Sequence, residues 1–150
     1  MTADDEATWT PQGPTERLSE GHCWELLGGG MFGRLAVSVE NKPLIFPVNY
    51  GVQGRAIVFR TVHGTKLADL MENAHVAFET DERDHGTARS VVVTGEAEIL
   101  ADPWEIDAAE RLGLPDWIPT DRYVWVSIRP TTVTGRMLHR HVEVSRLPNE

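Results

Sequence analysis

The chain has 150 residues, a quarter of them charged, and a formal charge of −9 from 14 Lys and Arg against 23 Asp and Glu. That length fits one domain with a real core, and that charge disfavours the sequence-independent phosphate attraction that binds nucleic acid or anionic lipid. With no apolar run of about 18 residues and no basic start leading into an apolar segment, neither a membrane span nor a signal peptide is expected, which points to the cytoplasm.

Residues 1–13 are acidic and polar with turn formers, and are expected to form a flexible arm or a strap across a neighbouring subunit, leaving 14–150 as a single domain. Ser19 is placed to cap a short helix carrying Trp24, Leu26 and Leu27 on one side, which Gly28, Gly29 and Gly30 end. The single cysteine, Cys23, excludes an internal disulfide and a cysteine-based zinc cluster, and its apolar neighbours make it a buried thiol. The period then changes to two. "GRLAVSVE" alternates Leu35, Val37 and Val39 with smaller or polar residues, "KPLIFPVNYG" follows the turn-like Glu40, Asn41 and Lys42, and "RAIVFRT" follows Gly54. Connections this short permit only antiparallel pairing, which argues against a doubly wound nucleotide fold.

From Thr65 the spacing returns to 3.6, with Leu67, Leu70 and Met71 on one stripe and Lys66, Asp69, Glu72 and Asn73 away from it. "HVAFETDE" and "RSVVVTGEAEIL" are two more strands, the second with Val91, Val93, Gly95, Ala97 and Ile99 on one face. Asp102, Pro103 and Glu105 open a capped helix that ends near Gly113. "RYVWVSIRPTTVTGRML" is a long strand in which Pro130 demands a bulge or an edge. The predicted fold class is α+β and mainly β: about six antiparallel strands with short helices, forming a small barrel.

Thr61, Gly64, Thr65 and Lys66 follow a strand and open a helix. Free N–H groups at a helix start, a hydroxyl, a glycine that lets the backbone approach closely and a full positive charge suit one phosphate; the competing reading is that Thr65 caps the helix and Lys66 is solvated. The segment is neither a P-loop nor a dinucleotide glycine fingerprint. In "FPVNY", Pro47 opens a strand ladder, leaving backbone groups of Val48 and Asn49 able to pair with a flat heterocycle, or marks an ordinary edge strand. His139 and His141 share a strand face but lack a third ligand, so no metal site is expected. Asp81, Glu82, Arg83 and Asp84 read as a solvated loop. No serine elbow or zinc-protease motif is present.

In order, the helix before "GRLAVSVE", then "IFPVNY", "VFRTVHGTKL", "RSVVVTGEAEIL" and "IRPTTVTGR" resemble the pyridoxamine 5′-phosphate oxidase-like flavoproteins over about Ser19 to Leu138. The likeness is to the shorter branch, described as nitroimidazole-resistance-like or pyridoxamine oxidase-related. The resemblance implies an FMN-binding split β-barrel, a homodimer with FMN in a cleft between subunits, and reduction of a small electrophile such as a nitro compound, quinone or enone by hydride transfer at flavin N5. Lys66, Gly64 and Thr65, with Arg60 or Thr61, would hold the phosphate; Pro47, Val48 and Asn49 would run along the isoalloxazine ring; Arg89 and Ser90 stand where the vitamin-making oxidase has an arginine–glutamine pair. No catalytic residue is implied, and Arg89, Tyr50 and Trp125 are either substrate-side or packing residues. The basic residues that grip pyridoxal phosphate in that oxidase are not recognisable, so pyridoxine phosphate oxidation is not expected. Some relatives use the deazaflavin F420, whose polyglutamate tail suits a more basic chain. A flavin-binding or sensor module without turnover is the remaining alternative.

Overall fold

The computed structural model of the chain describes residues 8–10, 13–62, 64–115 and 123–139. The period-two runs become β3 (Phe32–Val39), β4 (Lys42–Asn49), β6 (Ala56–Val62), β7 (His75–Arg83), β8 (Thr87–Ile99) and β9 (Tyr123–His139). Three further strands form: β1 (Thr8–Thr10), β2 (Gly13–Leu18) and β5 (Gly51–Gln53). Of the segment expected as an arm, Thr8–Thr10 and Gly13 are therefore strand, while residues 1–7, 11 and 12 lie outside the described residues. The helices are α1 (Glu20–Gly29), α2 (Thr65–Glu72) and α3 (Pro103–Glu110).

Every pairing is antiparallel, and the sheet runs β1-β2-β9-β8-β7-β3-β4, with β6 on β9 and β5 on β6. Two-residue turns fix two registers. Glu40 and Asn41 both take positive φ (50° and 67°) between the paired Val39 and Lys42, the conformation whose twist matches the flanking strands. β9 has β8 along one edge; on the other its first half pairs with β6 and its second half with β2. The sheet thus curls without closing, and splits along β9.

The change of partner on β9 coincides with a bulge. Thr94 pairs with Thr132 and Gly95 with Pro130, which leaves Thr131 extra and satisfies the interruption expected at the proline. A Cβ on Gly95 would collide with the Arg129 carbonyl and sit 3.0 Å from Pro130 Cα, so the backbone crossing requires glycine there. Inward-facing Leu35, Val37, Ile57, Phe59, Phe78, Val91, Val93 and Ile128 are at most 3 % exposed and form the main core. α1 closes one side of it with Cys23 and Leu27; α2 closes another with Leu67 and Leu70. A smaller cluster of Val58, Leu100, Ala109 and Trp125 lies on the opposite face, under α3.

The orientation of α2 differs from the expected stripe. Met71 is 71 % exposed and Asp69 only 8 %. The Asn73 side-chain amide donates to the Ser38 carbonyl at 3.3 Å, tying the end of the helix to β3. Asp81, Glu82 and Arg83, expected in a loop, are the exposed end of β7; Asp84 alone is the turn residue, accepting from the backbone N–H groups of Gly86 (2.9 Å) and Thr87 (2.7 Å).

Two outcomes test this packing. Gly95→Ala is expected to lower unfolding free energy by about 2 kcal/mol or more, the scale of an overpacking defect, read as a denaturation midpoint shift. Burial, with a smaller contribution from Glu20, pushes the Cys23 thiol above its ordinary value. Since the thiolate is the nucleophile, Cys23 at pH 8 should react with a disulfide reagent at least about tenfold more slowly folded than unfolded in urea.

Candidate functional site

Strand alternation decides how β6 presents its end. Phe59 and Thr61 turn inward, Thr61 being 6 % exposed, whereas Arg60 turns to the opposite face. The Arg60 guanidinium donates to the carbonyls of Leu114 (3.2 Å) and Pro115 (2.8 Å) and stacks over Tyr123 and Trp125, with ring centroids 5.0 and 5.8 Å away. Arg60 and Thr61 therefore do not converge on one point from the same side of the strand. Arg60 clamps the connection between α3 and β9.

Beyond Val62 the chain reaches Gly64, which is the N-cap of α2 and has no side chain to close the helix start. A Cβ at Gly64 would meet nothing within 4 Å, so the approach to that turn is open. The first intrahelical bond runs from Ala68 N–H to the Gly64 carbonyl at 3.0 Å, leaving the N–H groups of Thr65, Lys66 and Leu67 without helical partners. Thr65 is the first helical residue and not the N-cap; the side chains of Thr65 and Lys66 lie outside the described set. The other two helices contrast with this end. Ser19 accepts from His22 N–H and Asp102 from Trp104 N–H, with Glu20 and Glu105 in their first turns, while α2 has neither a capping side chain nor an acidic residue there. Uncapped donors with no acidic residue in the first turn suit an anion.

Pro47, Val48 and Asn49 lie on β4, the last strand of the sheet, opposite Arg34, Gly33 and Phe32 of β3. Val48 turns into the core at 6 % exposure; Pro47 is exposed. The outer edge of β4 pairs with no other described strand, so Pro47 costs no ladder bond on that side. Next to it the surface is apolar: Met31, Phe32 and Ile45 are 56, 46 and 69 % exposed.

Arg89 and Ser90 lie on β8, opposite Glu82 and Asp81 of β7. Between β8 and β4 stand β7 and β3, so three strand spacings, roughly 14 Å, separate Ser90 from Asn49 within one copy. Arg89 reaches Glu82 at 3.3 Å. One copy thus places the Arg89–Ser90 pair three strands away from the β4 strip. Tyr50 and Trp125 are packing residues: Tyr50 is fully buried and donates to the Leu27 carbonyl at 2.7 Å, and Trp125 donates its indole N–H to Glu110 at 2.8 Å. His139 faces Glu16 at 3.2 Å, and His141 lies outside the described residues.

Sequence reasoning missed Arg34. It lies opposite Pro47, and its guanidinium bonds Glu79 at 2.8 Å and pairs with Asp81 at 3.2 Å; the hydrogen bond to Glu79 is the main reason its pKa is held above the ordinary value. No short-range signal links Arg34 to carboxylates 45 and 47 residues away. The second omission is Asp69, whose Oδ2 is buried on α2 without a partner among the described residues.

The pyridoxamine 5′-phosphate oxidase family model matches residues 19–137. A solved structure from Corynebacterium glutamicum that is named for that oxidase is 41 % identical, with a TM-score of 0.77 over 85 % of this chain and all of the other. The FAD-binding protein from Mycobacterium smegmatis is 38 % identical (TM-score 0.75; 83 % of this chain, 98 % of that one). An FAD-binding protein from Mesorhizobium loti is 26 % identical (TM-score 0.76; 83 % and 98 %).

Arg60→Ala should test the clamp. Losing two charge-assisted bonds to carbonyls is expected to cost about 2 kcal/mol of stability, seen as a lower melting temperature, while affinity for added flavin changes less than about threefold. A flavin affinity that collapses with stability unchanged would return Arg60 to the anion site.

Proposed function

The chain belongs to the pyridoxamine 5′-phosphate oxidase family, and on that premise we propose that it is a flavoprotein whose nucleotide is anchored by its phosphate at the start of α2. The observation that carries this reading is the uncapped, acid-free N-terminus of that helix behind an open glycine. Flavin-binding neighbours of the same fold support it. The cradle suits a single phosphate on a ribityl chain, as in FMN; FAD, which the neighbours' names carry, shares that group and adds a second phosphate. Backbone N–H groups of Thr65, Lys66 and Leu67 would take the phosphate oxygens, and the Lys66 ammonium would supply the counter-charge. Thr61 and Gly64 flank this turn.

The unpaired outer edge of β4 at Pro47–Asn49 would lie along the ring, with Asn49 able both to donate and to accept. Arg89 and Ser90, remote in one copy, would complete the cleft from a second copy, so the working unit is a homodimer. A bound flavin supplies hydride transfer at its N5 atom. The chain's own part is to hold, orient and desolvate: donors near the ring favour negative charge there, and the exposed Met31 and Phe32 exclude water from one side. The substrate would be a small electrophile such as a nitro compound, quinone or enone. A net charge of −9 makes the polyanionic F420 the less suited cofactor.

An absorption spectrum of freshly purified protein, with mass spectrometry of what denaturation releases, is expected to give paired flavin bands and FMN or FAD. Lys66→Ala should weaken flavin binding about tenfold or more while leaving turnover of the loaded fraction little changed. Equal occupancy in the variant would remove Lys66 from the phosphate site. Stopped-flow reoxidation should show saturable acceleration by one acceptor class; uniformly slow reaction with all would make the protein a flavin-binding module.

A further inference from the structure

A hollow of about 290 Å³ opens on the outer face of the sheet beside α3, and none of the candidate flavin residues lines it. Its origin is register. Val58 of β6, Ser127 of β9 and Glu98 of β8 lie level in one row, and the small side chains of Ser127 and Ala56 leave space where larger neighbours would fill it. Val58 and Leu100, 1 and 7 % exposed, make an apolar floor. Gln53 and Glu105 form the wall on the α3 side.

The polar groups of this hollow are one-sided. Gln53 spends its amide N–H on the Glu105 carbonyl at 3.3 Å, which orients the side chain and leaves Oε1 buried with no partner among the described residues. Ser127 is 8 % exposed and brings its hydroxyl to the lining of the hollow. Glu98 and Glu105 bring two carboxylates against one guanidinium, that of Arg129, which lies 3.5 Å from Glu98. Acceptors outnumber donors and the local charge is negative, so a complementary guest brings N–H groups, one positive charge and a short apolar body. Among the described residues no three His, Cys, Asp or Glu converge as metal ligands, and the apolar floor of Val58 and Leu100 suits an organic guest.

We infer that this hollow binds a small organic ammonium ion, with its N–H groups on Gln53 Oε1 and Ser127 Oγ, its charge toward Glu98 and Glu105, and its alkyl part on Val58 and Leu100. Binding here is independent of the flavin reading.

The test is amide NMR titration of the full chain with n-butylammonium, n-butanol and tetramethylammonium at matched ionic strength. Saturable shifts at Gln53, Glu105 and Ser127 are expected with n-butylammonium, with the two controls weaker by about tenfold or more, because butanol lacks the charge and tetramethylammonium the N–H groups. Glu98→Gln and Glu105→Gln, both exposed and so compatible with folding, should each raise the dissociation constant about fivefold or more. Equal binding of either control, unsaturable shifts spread over the acidic surface, or unchanged affinity in both glutamine variants would overturn the assignment.

Discussion

The architecture depends on one strand serving three neighbours. β9 is 17 residues long, and each end of its free edge takes a different partner, β6 first and β2 later, while β8 follows the opposite edge throughout. A flat strand cannot do this without exposing one partner's core face. The bulge at Thr131, set by Pro130 and permitted by Gly95, supplies the bend and the added twist. Two consequences follow: the sheet curls around the Phe59–Phe78 core, and it stops short of closure, leaving β4 as an edge.

An unclosed sheet needs lids, and the helices supply them. α1 and α2 bury Cys23, Leu27, Leu67 and Leu70 in the openings, while α3 covers the outer cluster around Val58 and Trp125. The placement of α2 has a chemical consequence. Because it follows β6 after only a short connection, its start lies beside the end of that strand, and its cap is a glycine. The donors that Ser19 and Asp102 satisfy at the other two helices are left over at this one. Packing demands that α2 be there; only the residue at its cap leaves its first N–H groups without a capping side chain.

The sequence carried the strands well because their signal is local: Leu35, Val37, Val91 and Val93 alternate with polar neighbours, and turns at Glu40–Asn41 and Gly54 punctuate them. The family likeness was legible for the same reason, in ordered short segments. What escaped has a non-local cause. β2 has little apolar alternation and exists because the far half of β9 offers a free edge. Asp69 is turned inward on α2 although the sequence pattern puts it on the polar side, and Asn73 finds the carbonyl of Ser38 on β3. Arg60 sits beside Thr61 in "FRT", and the family resemblance offered one or the other for the phosphate, whereas alternation sends the two side chains to opposite faces. Arg34 answers to Glu79 and Asp81 across a ladder that no local pattern announces.

Alternation on β6 also separates the two candidate sites. Its inward residues, Phe59 and Thr61, belong to the core and the approach to α2; its outward residues, Val58 and Arg60, belong to the hollow and to the clamp on the α3–β9 connection. The second set is joined through α3: Glu105 lines the hollow, and Glu110 accepts from both Tyr123 and Trp125, the rings on which Arg60 stacks. A guest in the hollow therefore touches the element that fixes Arg60, one residue from Thr61 but on the other face of the strand. Any influence on the start of α2 through β6 would have to shift that strand, and the paired ladder from Ile57 to Val62 against β9 holds it in place. The two faces are built to act separately.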